Sequence, residues 1–257
     1  MEKSVIYHNK KLKFKDPILI VGLPGIGNVG SLVGQHLKSE LKAKKFATLY
    51  SPHFPHQVIM LPSGKIRIVN NRFYHVPMSK GKKLKNDIII LVGDFQAMTS
   101  EGQYEINDKI VRFFKKLGGK TIYTIGGYNT SKNYIQNPKV FGVATNQKVI
   151  NKLKTKGIIF GQAAGMIFGS AGLIVAFAKK HGMDAACIMG ETGFLDIDAN
   201  SAKAVLEVLT KLLDIEVNLD DIDNIRKETN KMLKTLEEAS KNPEMAGGAK
   251  ENFTYIR

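Results

Sequence analysis

Apolar positions along the chain fall into two spacings, and their alternation predicts the fold. Ile18, Leu19, Ile20 and Val21 form an unbroken apolar run; past a Pro- and Gly-rich break, Val29, Leu32, Val33 and Leu37 recur at helical steps. The first pattern marks a strand covered on both faces and the second an amphipathic helix. Both return downstream. Phe46 to Tyr50, Asp87 to Gly93, Thr121 to Ile125, Val140 to Ala144 and Ala185 to Met189 read as further strands. Helices are predicted from about Gly102 to Leu117, with Tyr104, Ile106, Ile110, Phe113 and Phe114 on the apolar face, and over Asn146 to Lys154, Gly172 to Lys180 and Ser201 to Leu213. Asp198 or Asn200 can cap the last of these. Strands alternating with helices imply a three-layer αβα arrangement around a Rossmann-like, mostly parallel sheet.

Two regions break the alternation. Gln57 to Leu61 and Lys65 to Val76 alternate in the manner of strands around a Pro62-Ser63-Gly64 turn, which predicts a β-rich insertion beside the main sheet. Past about residue 215 the character changes again. From Leu219 to Ser240, Ile222, Ile225, Thr229, Met232, Leu236 and Ala239 form a narrow apolar stripe on a charged helix, suited to its own domain or to a partner. Asn242-Pro243 ends it, Gly247-Gly248 follows, and the chain closes on Phe253-Thr254-Tyr255-Ile256-Arg257. The expected division is an α/β domain over 1–215, an amphipathic helix over 216–241 and a flexible tail over 242–257. Apolar residues on a flexible terminus gain little by burial in their own domain, so Phe253, Tyr255 and Ile256 with Arg257 suggest a peptide for a partner's groove.

Composition narrows the class. The 257 residues, 43% of them hydrophobic, are enough for a full core. A single cysteine, Cys187, lies in an apolar run, so the chain has no internal disulfide, and a reducing cytoplasmic setting with an inert core thiol is expected. The N-terminus carries no apolar signal segment. Gly161 to Lys179 nears spanning length, but its glycines suggest a loop entering a shorter buried helix. The net charge of +15 invites a nucleic-acid reading; against it, only five of the 38 basic residues are arginine, and the lysines are scattered.

The candidate chemistry starts at Gly25-Ile26-Gly27-Asn28-Val29-Gly30, which satisfies G-x-G-x-x-G and makes Gly25, Gly27, Asn28 and Gly30 candidates to cradle a phosphate at a helix N-terminus. The alternative is tight packing of helix on strand. A nicotinamide-type site needs an acid after the next strand, where this chain has Tyr50, Ser51, Pro52 and His53. Other polar residues at predicted strand ends are Asp94 with Gln96, Tyr128 with Asn129, and Glu191 with Thr192. They include no nucleophile with an evident base, no phosphate-binding lysine loop and no zinc helix. The prolines around His53 and His56 preclude a helix that would aim both at one metal.

The ordered set VGLPGIGNVGSLVG, DIIILVGDFQ, TIYTIGGYNT, the glycine series Gly161, Gly165, Gly169 and Gly172, and Gly190-Glu191-Thr192 resembles the PAC2 family. These are archaeal homologues of the eukaryotic proteasome assembly chaperones, and the resemblance spans roughly Asp16 to Leu213. It implies a phosphorylase-like sheet, a homo-oligomer, no cofactor, no catalytic residues, and binding to 20S proteasome α subunits. Proteasome-binding members dock a C-terminal hydrophobic-Tyr-any tripeptide between α subunits; here the order is Tyr255-Ile256-Arg257, with tyrosine third from last. The reading kept beside it is a nucleotide- or nucleoside-binding enzyme or sensor that uses the Gly25 to Gly30 turn with Asp94, Asn129 and Glu191.

Overall fold

The structure, a computed structural model, describes residues 2–78, 86–130, 135–161, 165–193 and 196–228. The apolar runs become β1 (Val5–His8), β2 (Ile18–Gly22), β3 (Lys44–Tyr50), β6 (Asn71–Val76), β7 (Ile88–Gly93), β8 (Thr121–Asn129), β9 (Val140–Ala144) and β10 (Asp184–Thr192), hydrogen-bonded in the order β1-β3-β6-β7-β2-β8-β10-β9. Five of these eight, β2, β3, β7, β8 and β10, run in one direction, and the parallel ladders β7-β2-β8-β10 form the centre. Every residue of β7 is buried, as its unbroken apolar run requires.

Alternate residues of the central strands feed two cores. Leu19, Val21, Ile89 and Leu91 face one layer, whose helices are α2 (Ser100–Lys116) and α4 (Ser170–Lys180). Ile20, Ile88, Ile90 and Val92 face the other, made of α1 (Val29–Glu40), α3 (Gln147–Lys154) and α5 (Ala199–Leu213). Side-chain caps fix several starts: Thr99 accepts from Gly102 N, Asn146 from Val149 N and Asp198 from Ser201 N.

The structure differs from the sequence reading in four places. β1, whose four residues sit in a charged segment, was not expected; it forms an edge by antiparallel pairing with β3. The expected strand over Lys65 to Val76 divides at Asn70. Its first part, β5 (Ile66–Ile68), pairs with β4 (Val58–Met60) in a separate two-stranded sheet, whereas β6 enters the main sheet between β3 and β7. The Asn70 backbone is held at that corner by Asp94, through Asn70 N to a carboxylate oxygen at 3.0 Å and Asp94 N to Asn70 O at 3.2 Å. Gly126 to Asn129, expected as an exit turn, continues β8, because each residue keeps a partner on β10 from Met189 to Thr192. Tyr104, expected in the core, is 60% exposed and sets its ring edge against Phe177.

Cys187 is fully buried, and burial pushes its thiol pKa up to about 11 despite an opposing influence of the neighbouring Thr124 side chain. A thiolate is the reactive form. Ellman's reagent is therefore expected to leave the native chain unmodified and to label one thiol after denaturation; fast native labelling would contradict this burial.

Among the described residues no helix is long and apolar enough to cross a membrane. The Gly161 to Lys179 stretch yields the 11-residue α4. Residues 220–228 are helical, with Ile222 buried against the core that includes α5. The remainder of the predicted 216–241 helix and the tail with Phe253, Tyr255, Ile256 and Arg257 lie outside the described residues.

Candidate functional site

Ligands of open α/β sheets bind beyond the carboxyl ends of the strands, where connections diverge to opposite faces. Here α1 leaves β2 toward one layer and α2 leaves β7 toward the other. The glycine turn stands at that divergence. Gly27 has φ 59° and Asn28 φ 49°, so the turn passes through left-handed backbone before α1 begins.

The turn is filled by protein on its own side. A Cβ on Gly30 would lie 2.6 Å from Leu23 O and 2.7 Å from Ile125 O, and one on Gly127 would lie 2.5 Å from Ile26 O. Gly30 thus lets α1 press against β2 and β8. A Cβ on Gly27 would lie 2.7 Å from Thr192 Oγ1 and 3.2 Å from Asp198 Cβ. Gly27 O accepts from Asp198 N, and Asn28 Nδ2 donates to Asp196 O. The Asp198 carboxylate accepts from Thr192 Oγ1 at 2.6 Å and from Ser201 N at 2.9 Å. This places a buried acidic side chain beside the turn, a neighbour unfavourable to a second anion. Gly27→Val would strain the backbone and collide with Thr192, so it cannot serve as a clean probe of ligand binding there.

The acids named from sequence do not converge. β3 lies three strand positions from β2, with β6 and β7 between them, so the residues that follow β3 are remote from the glycine turn. The strand beside β2 on that side is β7, and the acid that follows it is Asp94. Both Arg67 terminal nitrogens and Arg72 Nη2 donate to Asp94, whose side chain is 8% exposed. Burial alone raises a carboxyl pKa; the hydrogen bonds from Arg67 and Asn70 N, with the Arg72 and Arg67 charges, outweigh it and hold Asp94 below the usual carboxylate range. Glu191, also buried, accepts from Lys139 N at 3.1 Å and Thr130 Oγ1 at 3.4 Å. β7 and β10 are three strand positions apart, about 14 Å, too far for the two to act as an acid/base pair on one bond.

His53 is engaged elsewhere: its Nε2 lies 3.0 Å from Glu105 Oε2 and its Nδ1 3.2 Å from Thr99 Oγ1, tying the exit of β3 to the start of α2. Ser51 Oγ meets Ser4 Oγ at 2.8 Å and accepts from His53 N. Gln96 joins the two halves of the carboxyl edge. Its Nε2 donates to Pro24 O at 2.7 Å, and its Oε1 accepts from Ser170 N at 2.8 Å at the start of α4.

Sequence reasoning did not anticipate the concavity at this edge. A cavity of about 350 Å³ opens at the carboxyl ends of β2 and β8, between the glycine turn at Gly25 and Ile26, the N-terminus of α4 and β9. Tyr128 and Phe141 form one wall, with ring centroids 4.8 Å apart, while Met166 and Phe168 beside it are 82% and 80% exposed. The available signal was the Gly126-Gly127 pair, which interrupts an otherwise β-branched and aromatic strand.

A mixed, mostly parallel sheet with a glycine turn committed to packing and separated acids defines a Rossmann-like α/β protein with no catalytic constellation among these candidates. The PAC2 family profile matches residues 19–238, and the chain belongs to the PAC2 family. It is 35% identical over 255 residues, 96% of each chain, to an uncharacterized protein of Methanocaldococcus jannaschii. Among solved structures it is similar to Pyrococcus furiosus PbaB, an archaeal proteasome activator, with a TM-score of 0.85 and 36% identity, covering 92% of this chain and 100% of that one. It is also similar to P. furiosus PbaA, an archaeal homolog of proteasome-assembly chaperone, with a TM-score of 0.71 and 25% identity over 92% and 99% of the two chains.

Proposed function

We propose that this protein is a non-enzymatic, proteasome-assembly-chaperone-like binding protein of the cytoplasm, a homo-oligomer that engages 20S proteasome α subunits through Phe253, Tyr255, Ile256 and Arg257. The observation that carries this reading is its likeness, over nearly the whole of both chains, to a protein described as an archaeal proteasome activator. The site geometry agrees: the acids at the carboxyl edge are committed to structural partners and lie apart. Phe253, Tyr255 and Ile256 supply apolar side chains of the kind that suit a partner's groove.

Native electrophoresis with archaeal 20S particles is expected to show a complex with the full chain that weakens when Phe253 to Arg257 are deleted. Undiminished binding by the truncated chain would remove the tail from the mechanism, and absence of any complex would reject the proteasome reading. The glycine turn offers less support to a nucleotide reading, because Thr192 and Asp198 occupy its flank.

A further inference from the structure

We propose that the cavity at the carboxyl ends of β2 and β8 is a binding site for an uncharged, ring-bearing small molecule of about one or two fused rings. Its volume, about 350 Å³, falls at the lower end of the range of small-molecule sites, roughly 300–1,000 Å³. It also lies at the divergence of connections where open α/β sheets place ligands.

The two central glycines of β8 differ in what explains them. Glycine weakens a strand, and where it persists something usually approaches closely. At Gly127 that neighbour is Ile26 O. At Gly126 no neighbour among the described residues requires a glycine. A Cβ there would meet Ala171 Cβ at 3.6 Å and Met189 Cγ at 3.8 Å, ordinary contact distances, and Gly126 lines the cavity. The chain therefore leaves open a position that a side chain could fill, and the opening enlarges the cavity floor.

The walls define the ligand's chemistry. No charged side chain lines the cavity among the described residues. A phosphate would find neither a cation nor a free helix-start donor at Ser170, whose N–H is taken by Gln96. The Gln96 amide is engaged at both ends, and Ser170 Oγ donates to Gln103 Oε1 at 3.4 Å. The Tyr128 hydroxyl makes no hydrogen bond among the described residues and offers one polar contact, and the polar side chain of Asn129 also lines the cavity. Tyr128, Phe141 and Phe168 offer ring faces and edges, and Met166 and Met189 offer polarisable sulfur, a lining suited to an aromatic ring. The site takes a phenol- or indole-like molecule in preference to a nucleotide, and this assignment stands independently of the proteasome reading.

The test uses the full chain, with indole and 2-naphthol as ring probes and AMP and inorganic phosphate as charged ones, followed by calorimetry and thermal shift. A ring probe is expected to bind and raise Tm, while AMP and phosphate leave Tm unchanged. Gly126→Leu, which projects into the floor, is expected to weaken the ring probe at least about tenfold without lowering the Tm of the unliganded chain. Gly126→Ala provides a milder variant whose Cβ fits the existing space, with weakening of a few fold. Binding of neither ring probe, an unchanged Kd in both Gly126 variants, or tighter binding of AMP than of the rings would overturn the proposal.

Discussion

Replacing Gly30 with valine is expected to lower stability by about 4 kcal/mol or more, a loss of roughly 8–16 °C in Tm for a chain of this size. The atoms that the new side chain would meet are the backbone oxygens of Leu23 and Ile125, at 2.6 and 2.7 Å from the Cβ, and they belong to the exit of β2 and to the adjacent β8. Backbone in the centre of a sheet cannot step aside as a flexible side chain can, so the whole of α1 would have to lift from its seat. Gly25→Ala is the matched control. Its φ of −173° suits any residue, and its Cβ would lie 3.7 Å from Gln96 Nε2. A cost below about 1 kcal/mol is expected there. Thermal melts followed by circular dichroism would compare the two, and a Gly30→Val melt within about 2 °C of the parent would contradict the packing role of the turn.

Asp94→Ala is expected to cost about 3–5 kcal/mol, because it leaves Arg67 and Arg72 without their carboxylate and frees the corner at Asn70. Among the described residues Arg72 Nε is already buried without an acceptor, so none of them stands ready to replace the lost carboxylate. The pH dependence follows from the lowered Asp94 pKa. A carboxyl with a folded pKa below its unfolded value contributes its full stability above the unfolded value, about 3.9, and loses it as pH falls through the folded one. The difference in unfolding free energy between parent and Asp94→Ala is thus expected to be constant from pH 7 to about pH 5 and to shrink below about pH 4. Chemical denaturation across that range checks it, and a gap that grew with acidity would contradict the ion-pair account.

The parts of the fold that were legible from sequence are those where one physical requirement dominates. An apolar run with no interruption, as in Ile88 to Val92, is compatible with a strand covered on both faces, and helical spacing that begins after an N-capping residue fixes α3 and α5. The parts that were not legible depend on long-range pairing. β1 is held by β3, the division at Asn70 is held by Asp94 from a different strand, and Gly126-Gly127 stays extended because β10 runs beside it. Local rules read a double glycine as a turn. The candidate site followed the same division. G-x-G-x-x-G located the turn, but only the positions of Thr192 and Asp198, more than 160 residues away, show that one flank is filled by the protein itself. The cavity was invisible for the reverse reason, since its lining comes from segments scattered between Val21 and Met189.

Engagement of the proteasome through the C-terminal residues is tested most directly by the equilibrium affinity of the chain for purified archaeal 20S particles, measured for the full chain and for one ending at Asn252. The expected result is measurable binding by the full chain and a Kd at least about tenfold weaker without Phe253 to Arg257, a loss of about 1.4 kcal/mol or more. Equal affinities for the two chains, or no binding by either, would contradict it.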